Sequence, residues 1–191
     1  MATRNYRWVI LTIGFMILFV GSGSRNAFGL FLKPMAADLE WTRSEVSLIQ
    51  AIFLIVSALA MPVAGRLIDK YNIRYILFVS VLISSIGIGA VAVANTGWQV
   101  YVLYGVIFAL GSTGMSLIPV GVMVNRWFAT GRGFANGLAT SGTSFGQLVI
   151  VAILASILTS IGWRDAYLYL AIITVVVLLP LVVFGIKSDP T

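Results

Sequence analysis

One arginine, Arg25, carries the strongest chemical signal in this sequence, because it lies inside the long apolar stretch of residues 8–32. A guanidinium presents a planar fork of donors that suits carboxylates. At membrane depth it is costly unless it faces a polar cavity or an acidic partner. Arg25 lies about 25 Å along a helix from Trp8. Two interpretations therefore stay open: Arg25 faces a cavity, or it reaches the outer interface or pairs with Asp38 or Glu40.

A second concentration of charge lies in residues 65–77, which join two apolar stretches. The run holds one acidic and three basic residues: Asp69, Arg66, Lys70 and Arg74. A loop this short between two membrane spans lies at one membrane face, and its basic residues indicate the cytoplasmic face. The residues alone leave open whether the loop does more than set topology.

Several kinds of chemistry are missing from the sequence. It has no Cys and no His, and no Asp or Glu lies in the middle of an apolar stretch. No Ser-His-acid set, metal-binding cluster or phosphate-binding glycine loop before a Lys is present. We therefore expect neither an enzyme nor a cofactor or metal site, and this part of the chain offers no obvious carboxylate for proton coupling.

Composition explains why charge is so rare. Of the 191 residues, 60% are hydrophobic and 9% are charged, whereas a soluble domain carries about 25% charged residues. The chain must therefore be solvated by the lipid bilayer. Its net charge of +6 could suggest nucleic acid, but the basic residues are dispersed in short loops. We interpret them as topology signals and lipid-headgroup contacts.

Six apolar stretches are long enough to be membrane helices, since a bilayer core needs about 20 residues. They are residues 8–32, 46–64, 75–94, 98–124, 134–160 and 166–186. The first also imitates a signal peptide, with Arg4 and Arg7 before it and Gly21–Ser24 within it, but its apolar character resumes at Ala27. We therefore predict an all-α membrane protein with six transmembrane helices.

The basic residues predict the orientation. With the N-terminus in the cytoplasm, eight basic residues lie on that side: Arg4, Arg7, Arg66, Lys70, Arg74, Arg126, Arg132 and Lys187. Three lie outside: Lys33, Arg43 and Arg164. This bias follows the positive-inside rule. Both termini of the chain are then cytoplasmic.

Small residues recur at a spacing that brings helices together. Gly133 and Gly137 are four residues apart, as are Gly142 and Gly146. This spacing places small residues on one helix face and lets two backbones approach closely. The simplest interpretation is tight helix packing without direct chemistry.

The charged run at 65–77 resembles the signature loop between the second and third helices of the major facilitator superfamily. That loop has a glycine, an aspartate four residues later and then a basic cluster, and here these places are filled by Gly65, Asp69, Lys70 and Arg74. Asn72 stands where the family usually has a second glycine. Asn also tolerates left-handed backbone angles, so this departure is mild.

Further segments resemble the oxalate/formate antiporter and monocarboxylate porter branch of that superfamily. They are residues 28–31 with Pro34, residues 40–43, Gly105, Gly111, Gly114 and Pro119, residues 125–128, residues 132–137 with Gly142 and Gly146, and residues 162–164. The resemblance implies that residues 1–191 are an N-terminal six-helix domain built from two inverted three-helix repeats. The second six-helix half of the fold is absent from this sequence.

The resemblance also implies roles for single residues. In the resembled branch the matching stretch of the first helix lines the substrate cavity, so Arg25 and Asn26 would contact an anionic substrate. Asp69, in the loop with Gly65 and Arg74, would act as a conformational switch with Arg126 as its partner. The glycines at 133, 137, 142 and 146 would give the fifth helix a smooth face, along which one half could move against the other.

These expectations lead to one main function and two alternatives. The main one is transport of a small organic anion, of the monocarboxylate or oxalate/formate type, by an antiporter or symporter of which this chain is the N-terminal half, truncated. A missing C-terminal half or a second chain would complete it. The alternatives are a half-transporter that pairs with another chain and a non-transporting membrane domain for folding or interaction. The motif variant suggests a bacterial inner membrane.

Overall fold

The computed structural model describes the backbone of residues 2–186 and the side chains of residues 6–42 and 44–186. Within this part every regular element is a helix, because a backbone in lipid must pair its own N–H and C=O groups. Five helical segments are long and apolar enough to cross a membrane. Lys187 lies outside the described residues, as do the side chains of Arg4 and Arg43.

The first of these segments consists of two consecutive helices. Helix α1 (Ala2–Asn26) is followed by α2 (Phe28–Asp38), and Ala27 separates them. The apolar segment from Tyr6 to Asp38 has 33 residues, so it would be about 50 Å long if straight. It extends beyond the predicted span of 8–32 at both ends.

The second and third segments are joined by a turn of two residues. Helix α3 (Arg43–Lys70) is followed by α4 (Ile73–Val91). A capping box begins α3: the Thr42 N–H donates to the Glu45 carboxylate (2.7 Å), and the Glu45 N–H donates to the Thr42 hydroxyl (3.4 Å). These pairings satisfy two donors at the helix start.

The connection between α3 and α4 is therefore shorter than the loop predicted from residues 65–77. Gly65 and Asp69 lie within α3. Asn72 has an extended backbone (φ −63°, ψ 128°), and its side chain accepts a hydrogen bond from the Arg74 N–H (3.0 Å). Asn72 thus serves as the cap of α4 and does not need left-handed angles.

The fourth segment, residues 97–127, contains four consecutive helical pieces. They are α5 (Gly97–Val100), the π-helical stretch π1 (Tyr101–Phe108), α6 (Ala109–Gly114) and α7 (Leu117–Trp127). Pro119 lies in the first turn of α7, where a missing N–H removes no helical hydrogen bond. The segment includes the predicted span of 98–124.

The last segment, residues 132–185, has 54 residues, too many for one crossing of a core about 30 Å thick. It comprises α8 (Arg132–Ile173), the π-helical turn π2 (Thr174–Leu178) and α9 (Leu179–Gly185). Gly162 interrupts it with non-helical angles (φ 77°, ψ 170°), a conformation that favours glycine. The interruption falls between the predicted spans 134–160 and 166–186.

The chain reverses its direction at Gly162. Before it, Gly142 faces the carbonyl of Phe15 and Gly146 faces that of Phe19, so this part of α8 runs parallel to α1. After it, the Trp163 indole donates to Asp38 at the end of α2 (3.2 Å). The carbonyl of Gly185 then accepts from Tyr6 near the start of α1 (2.6 Å). Residues 163–185 therefore run antiparallel to the first segment.

The molecule has two polar ends, which we call the basic end and the Asp38 end. At the basic end the Tyr6 and Trp127 rings are 5.1 Å apart, and the Arg126 guanidinium donates to the Ile68 carbonyl. The basic end carries six described basic side chains: Arg7, Arg66, Lys70, Arg74, Arg126 and Arg132. The Asp38 end carries Lys33 and Arg164 among the described side chains. The charge asymmetry of the sequence thus becomes an asymmetry between two ends.

The four glycines of α8 that the sequence singled out lie in different surroundings. A Cβ at Gly142 or Gly146 would collide with the backbone of α1, so these two allow close contact between the helices. No other atom lies within 4 Å of a Cβ placed at Gly133 or Gly137. Of these four glycines, only Gly142 and Gly146 pack against another helix within the described residues.

Candidate functional site

Arg25 lies in the last turn of α1, two residues before Ala27, where α2 follows. Its side chain is half-buried, and its buried Nε atom has no hydrogen-bond partner among the described residues. Its backbone carbonyl accepts a hydrogen bond from the Tyr104 hydroxyl (3.2 Å). The structure thus places a guanidinium with unused donor capacity inside a long apolar helical segment.

The backbone stays helical at Ala27, where α1 ends and α2 begins (φ −60°, ψ −25°). The Ala27 N–H donates to the Gly23 carbonyl (3.0 Å), and the Ala27 carbonyl accepts from the N–H groups of Leu30 (3.0 Å) and Phe31 (3.3 Å). In lipid a backbone carbonyl without a partner is costly. The Tyr104 hydroxyl is one partner of the Arg25 carbonyl.

Tyr104 is held in place by aromatic contacts. It is fully buried, and its ring centroid lies 4.5 Å from that of Phe28, 4.9 Å from Phe108 and 5.5 Å from Phe53. Phe28 lies on α2 and Phe53 on α3, whereas Phe108 lies on π1 with Tyr104 itself, so two other helices help to fix the position of one hydroxyl. From the sequence, Tyr104 is one of several polar residues that could line a water-filled path, and its spacing does not reveal which backbone group it meets.

Asn26, the other expected substrate contact, has a different environment. Its side chain is exposed. The carboxamide donates to the Ser22 carbonyl (2.9 Å) and the Ser22 hydroxyl (3.3 Å) of its own helix. In this conformation Arg25 and Asn26 share no partner, although both lie at the same level of the first segment.

The suggested pairing of Arg25 with Asp38 is not observed. Asp38 is thirteen residues further along the chain, about 20 Å on a helix. Its carboxylate pairs with Arg164 and accepts from the Trp163 indole. The Arg164 guanidinium also lies over the Trp163 ring, 4.3 Å from its centroid. This cluster ties the end of α2 to the reversal at Gly162.

The expected switch residues lie together at the basic end. Asp69 is exposed in the last turn of α3. The Arg126 guanidinium reaches the neighbouring turn and donates to the Ile68 carbonyl (3.3 Å). Arg74 instead donates to the Val183 carbonyl, which joins α4 to α9. A Cβ at Gly65 would meet no other atom within 4 Å.

A polar pair that sequence analysis did not identify links α7 to α8. The Asn136 carboxamide donates to that of Asn125 (2.7 Å). Asn136 also borders a cavity of about 200 Å³ between α1, α7 and α8. The remaining lining residues are Leu18, Leu117, Val120, Gly121, Ala139 and Thr140. The sequence signal was the presence of one Asn on each side of the turn at 128–131.

Comparison with known proteins agrees with the fold. Residues 14–191 match the Major Facilitator Superfamily. The "Uncharacterized MFS-type transporter YcxA" of Bacillus subtilis (strain 168) is 28% identical over 184 residues, which is 96% of this chain and 45% of that protein. Monocarboxylate transporter 1 of Homo sapiens is 29% identical over 166 residues, or 87% of this chain and 33% of that protein.

A solved structure shows the same architecture. It is the crystal structure of a bacterial homolog of the human lysosomal transporter Spinster, in an inward-facing and unoccupied conformation. It superposes with a TM-score of 0.83 at 18% sequence identity, over 97% of this chain and 44% of that chain. The chain therefore spans less than half the length of these relatives.

The bond between Tyr104 and Arg25 leads to a stability prediction. Replacing Tyr104 by Phe keeps the ring contacts but removes the donor to the Arg25 carbonyl. Hydrogen bonds between membrane helices contribute about 0.6 kcal/mol on average and up to about 1.7 kcal/mol. We expect Tyr104→Phe to lower the free energy of unfolding by an amount in this range, measured on the full-length protein in detergent.

Tyr101→Phe provides the matched control, since Tyr101 lies on the same helical stretch and stacks on Trp41 without a hydrogen bond to Arg25. It should leave the unfolding transition unchanged. Equal stability of the Tyr104→Phe protein and the unmodified protein would show that the bond contributes nothing.

Proposed function

The chain belongs to the major facilitator superfamily and forms the N-terminal half of its fold, and from this premise we propose that it is half of a secondary transporter for a small organic anion. The observation that supports the anion is Arg25, a cation inside a membrane-spanning segment with unused donor capacity. The named relatives are transporters, one of the MFS type and one a monocarboxylate transporter. At the family level, this agrees with the expectation of a transporter rather than an enzyme.

We propose that the chain crosses the membrane six times. The reversal at Gly162 supports this count, because it divides a segment of 54 residues into two antiparallel parts. Each half of this transporter fold is made of two inverted three-helix repeats, and substrates bind near the midplane. The repeats here would be crossings one to three and crossings four to six, with a second six-helix half opposite them.

Arg25 is suited to an anion because of its surroundings. A half-buried guanidinium in a membrane segment needs a counter-charge or several acceptors, and Asp38, about 20 Å further along the segment, is engaged by Arg164. A carboxylate could accept two parallel hydrogen bonds from the planar guanidinium. A bound anionic substrate would then supply the negative charge opposite Arg25.

Substitution of Arg25 tests the proposed anion site. A charge-assisted hydrogen bond contributes about 1.5–3 kcal/mol, so Arg25→Gln in the complete transporter should weaken binding of a monocarboxylate more than tenfold. Arg25→Lys should restore only part of the affinity, because an ammonium lacks the planar fork. Binding is measured by calorimetry on the purified proteins.

Lys33→Gln is the control, since it removes one positive charge from the exposed end of the first segment. Its affinity should match that of the unmodified transporter. Equal affinities for the Arg25 variants as well would exclude Arg25 from the site and leave anion recognition to the other half.

We propose further that Asp69 and Arg126 form the conformational switch. Arg126 already donates to the carbonyl of Ile68, the residue before Asp69, so a small movement would bring the two charges together. An ion pair at a partly wet surface contributes up to about 1 kcal/mol, which changes a conformational equilibrium several-fold. The pair would favour the conformation in which the basic end is closed.

Neutralising Asp69 should therefore favour the inward-open state. We expect Asp69→Asn in the complete transporter to raise the inward-open population several-fold and to slow transport, as observed by distance measurements between spin labels and by uptake. Asp165→Asn removes an exposed carboxylate near the Asp38 end and should change neither. An unchanged population in the Asp69→Asn protein would reduce Asp69 to a topology charge.

We propose that the basic end faces the cytoplasm, in the inner membrane of a bacterium. The supporting observation is the concentration of basic side chains at that end, which matches the positive-inside rule. Cysteine introduced at Asn95 or Gly162 should react with an impermeant thiol reagent added outside intact cells, and cysteine at Asn72 should not. The reverse pattern would invert the orientation.

A further inference from the structure

A long apolar groove runs between α3, α4 and α6 on the outside of the helix bundle. Its volume is about 660 Å³, within the range of 300–1,000 Å³ typical of ligand pockets. Its lining residues on α3 recur at helical spacing: Val56, Leu59, Ala60, Val63, Ala64 and Leu67. Tyr75, Ile76, Val79 and Ile83 line the opposite wall. Of the five apolar segments, the one that contains α3 is the least buried.

The groove exists because α4 packs tightly against α6 and leaves α3 apart. A Cβ at Gly111 would collide with the backbone of Ser84, and one at Gly114 would collide with the Ser80 side chain. These glycines therefore draw α4 and α6 together. On the other side, Ala60 and Ala64 have side chains too short to fill the space. The result is an elongated groove rather than a compact pocket.

The length of the groove suits a hydrocarbon chain. Its lining extends along α3 from Val56 to Tyr71, a distance of about 22 Å on a helix. Half of the hydrocarbon core of a bilayer is about 15 Å thick. The groove thus extends from the membrane interior to the basic end, parallel to the acyl chains of one leaflet.

Cationic side chains flank the mouth of the groove at the basic end. Tyr71 lines this mouth, and the Lys70 ammonium lies 5.5 Å from the centre of its ring. Arg66 is exposed one turn earlier on α3, and Asp69 is the acidic residue in this turn. Arg74 is directed elsewhere, towards the Val183 carbonyl. The net charge around the mouth of the groove is therefore positive.

We propose that this groove binds one acyl chain of an anionic phospholipid from the surrounding bilayer, with the lipid phosphate at Lys70 and Arg66. The apolar lining selects the hydrocarbon, and the cations at the mouth select a negative headgroup. Basic residues near a membrane surface contribute about 1 kcal/mol each towards anionic lipids. This inference is independent of what the complete protein transports.

Native mass spectrometry of the purified full-length protein tests the site with phosphatidylglycerol as the probe. Phosphatidylcholine tests the headgroup charge, and glycerol 1-phosphate tests the headgroup without acyl chains. Phosphatidylglycerol should be retained more tightly than phosphatidylcholine, and glycerol 1-phosphate should not compete at equal concentration. Lys70→Gln should weaken retention of phosphatidylglycerol about fivefold, the factor that corresponds to about 1 kcal/mol. Lys33→Gln should not.

A second pair of variants tests the groove itself. Ala60 lines the groove, whereas Ala58 is exposed on the same helix outside it. Ala60→Phe should abolish retention of the lipid, and Ala58→Phe should leave it unchanged. Equal retention of lipid by both variants would overturn the proposal. Equal binding of phosphatidylglycerol and phosphatidylcholine would also overturn it. If no lipid is retained at all, another segment of the full-length protein already fills the groove, and the proposal is likewise wrong.

Discussion

A carbonyl group in the interior of a membrane has no water to bind, so its hydrogen-bond partners must come from the protein. The two helices of the first segment meet at Ala27, and two residues earlier the Arg25 carbonyl accepts a hydrogen bond from the Tyr104 hydroxyl. Three aromatic rings hold that hydroxyl in place. The position of the Arg25 guanidinium depends in turn on this backbone arrangement. The aromatic core around Tyr104 therefore helps to position the proposed anion site at Arg25.

The two ends of the bundle are held together by different kinds of contact. At the Asp38 end, Arg164 and Trp163 hold Asp38, so the chain reverses there against a fixed point. At the basic end the contacts are made by long side chains to backbone carbonyls, from Arg74 to Val183 and from Arg126 to Ile68. Such contacts can be exchanged without unfolding a helix. The basic end is therefore the better place for a movement that opens and closes a cavity.

Sequence analysis could predict the long apolar segments, because apolar length is a local property, while the count of six crossings stays a prediction. The boundary between the last two predicted spans contains Gly162, where the backbone angles favour a glycine. Sequence analysis could not predict the length of the turn after α3, since the helix continues through the charged residues up to Lys70. Sequence analysis also could not identify the hydrogen-bond partners of Asp38 and Tyr104. Both contacts join residues far apart in the sequence, and apolar composition indicates membrane depth but not which helix faces which.

The central claim is that Arg25 faces a water-filled cavity that admits an anion, and cysteine accessibility at position 25 tests it most directly. In a full-length protein without other cysteines, Arg25→Cys should react with a charged, water-soluble thiol reagent. In a separate Asn26→Cys protein, which keeps Arg25, a bound monocarboxylate should slow the reaction of the exposed position 26. Ile17→Cys in the core and Leu59→Cys in the apolar groove should stay unreactive to that reagent. If Arg25→Cys reacts only with a membrane-soluble reagent, or if the anion gives no protection, position 25 faces lipid or protein, and the account is contradicted.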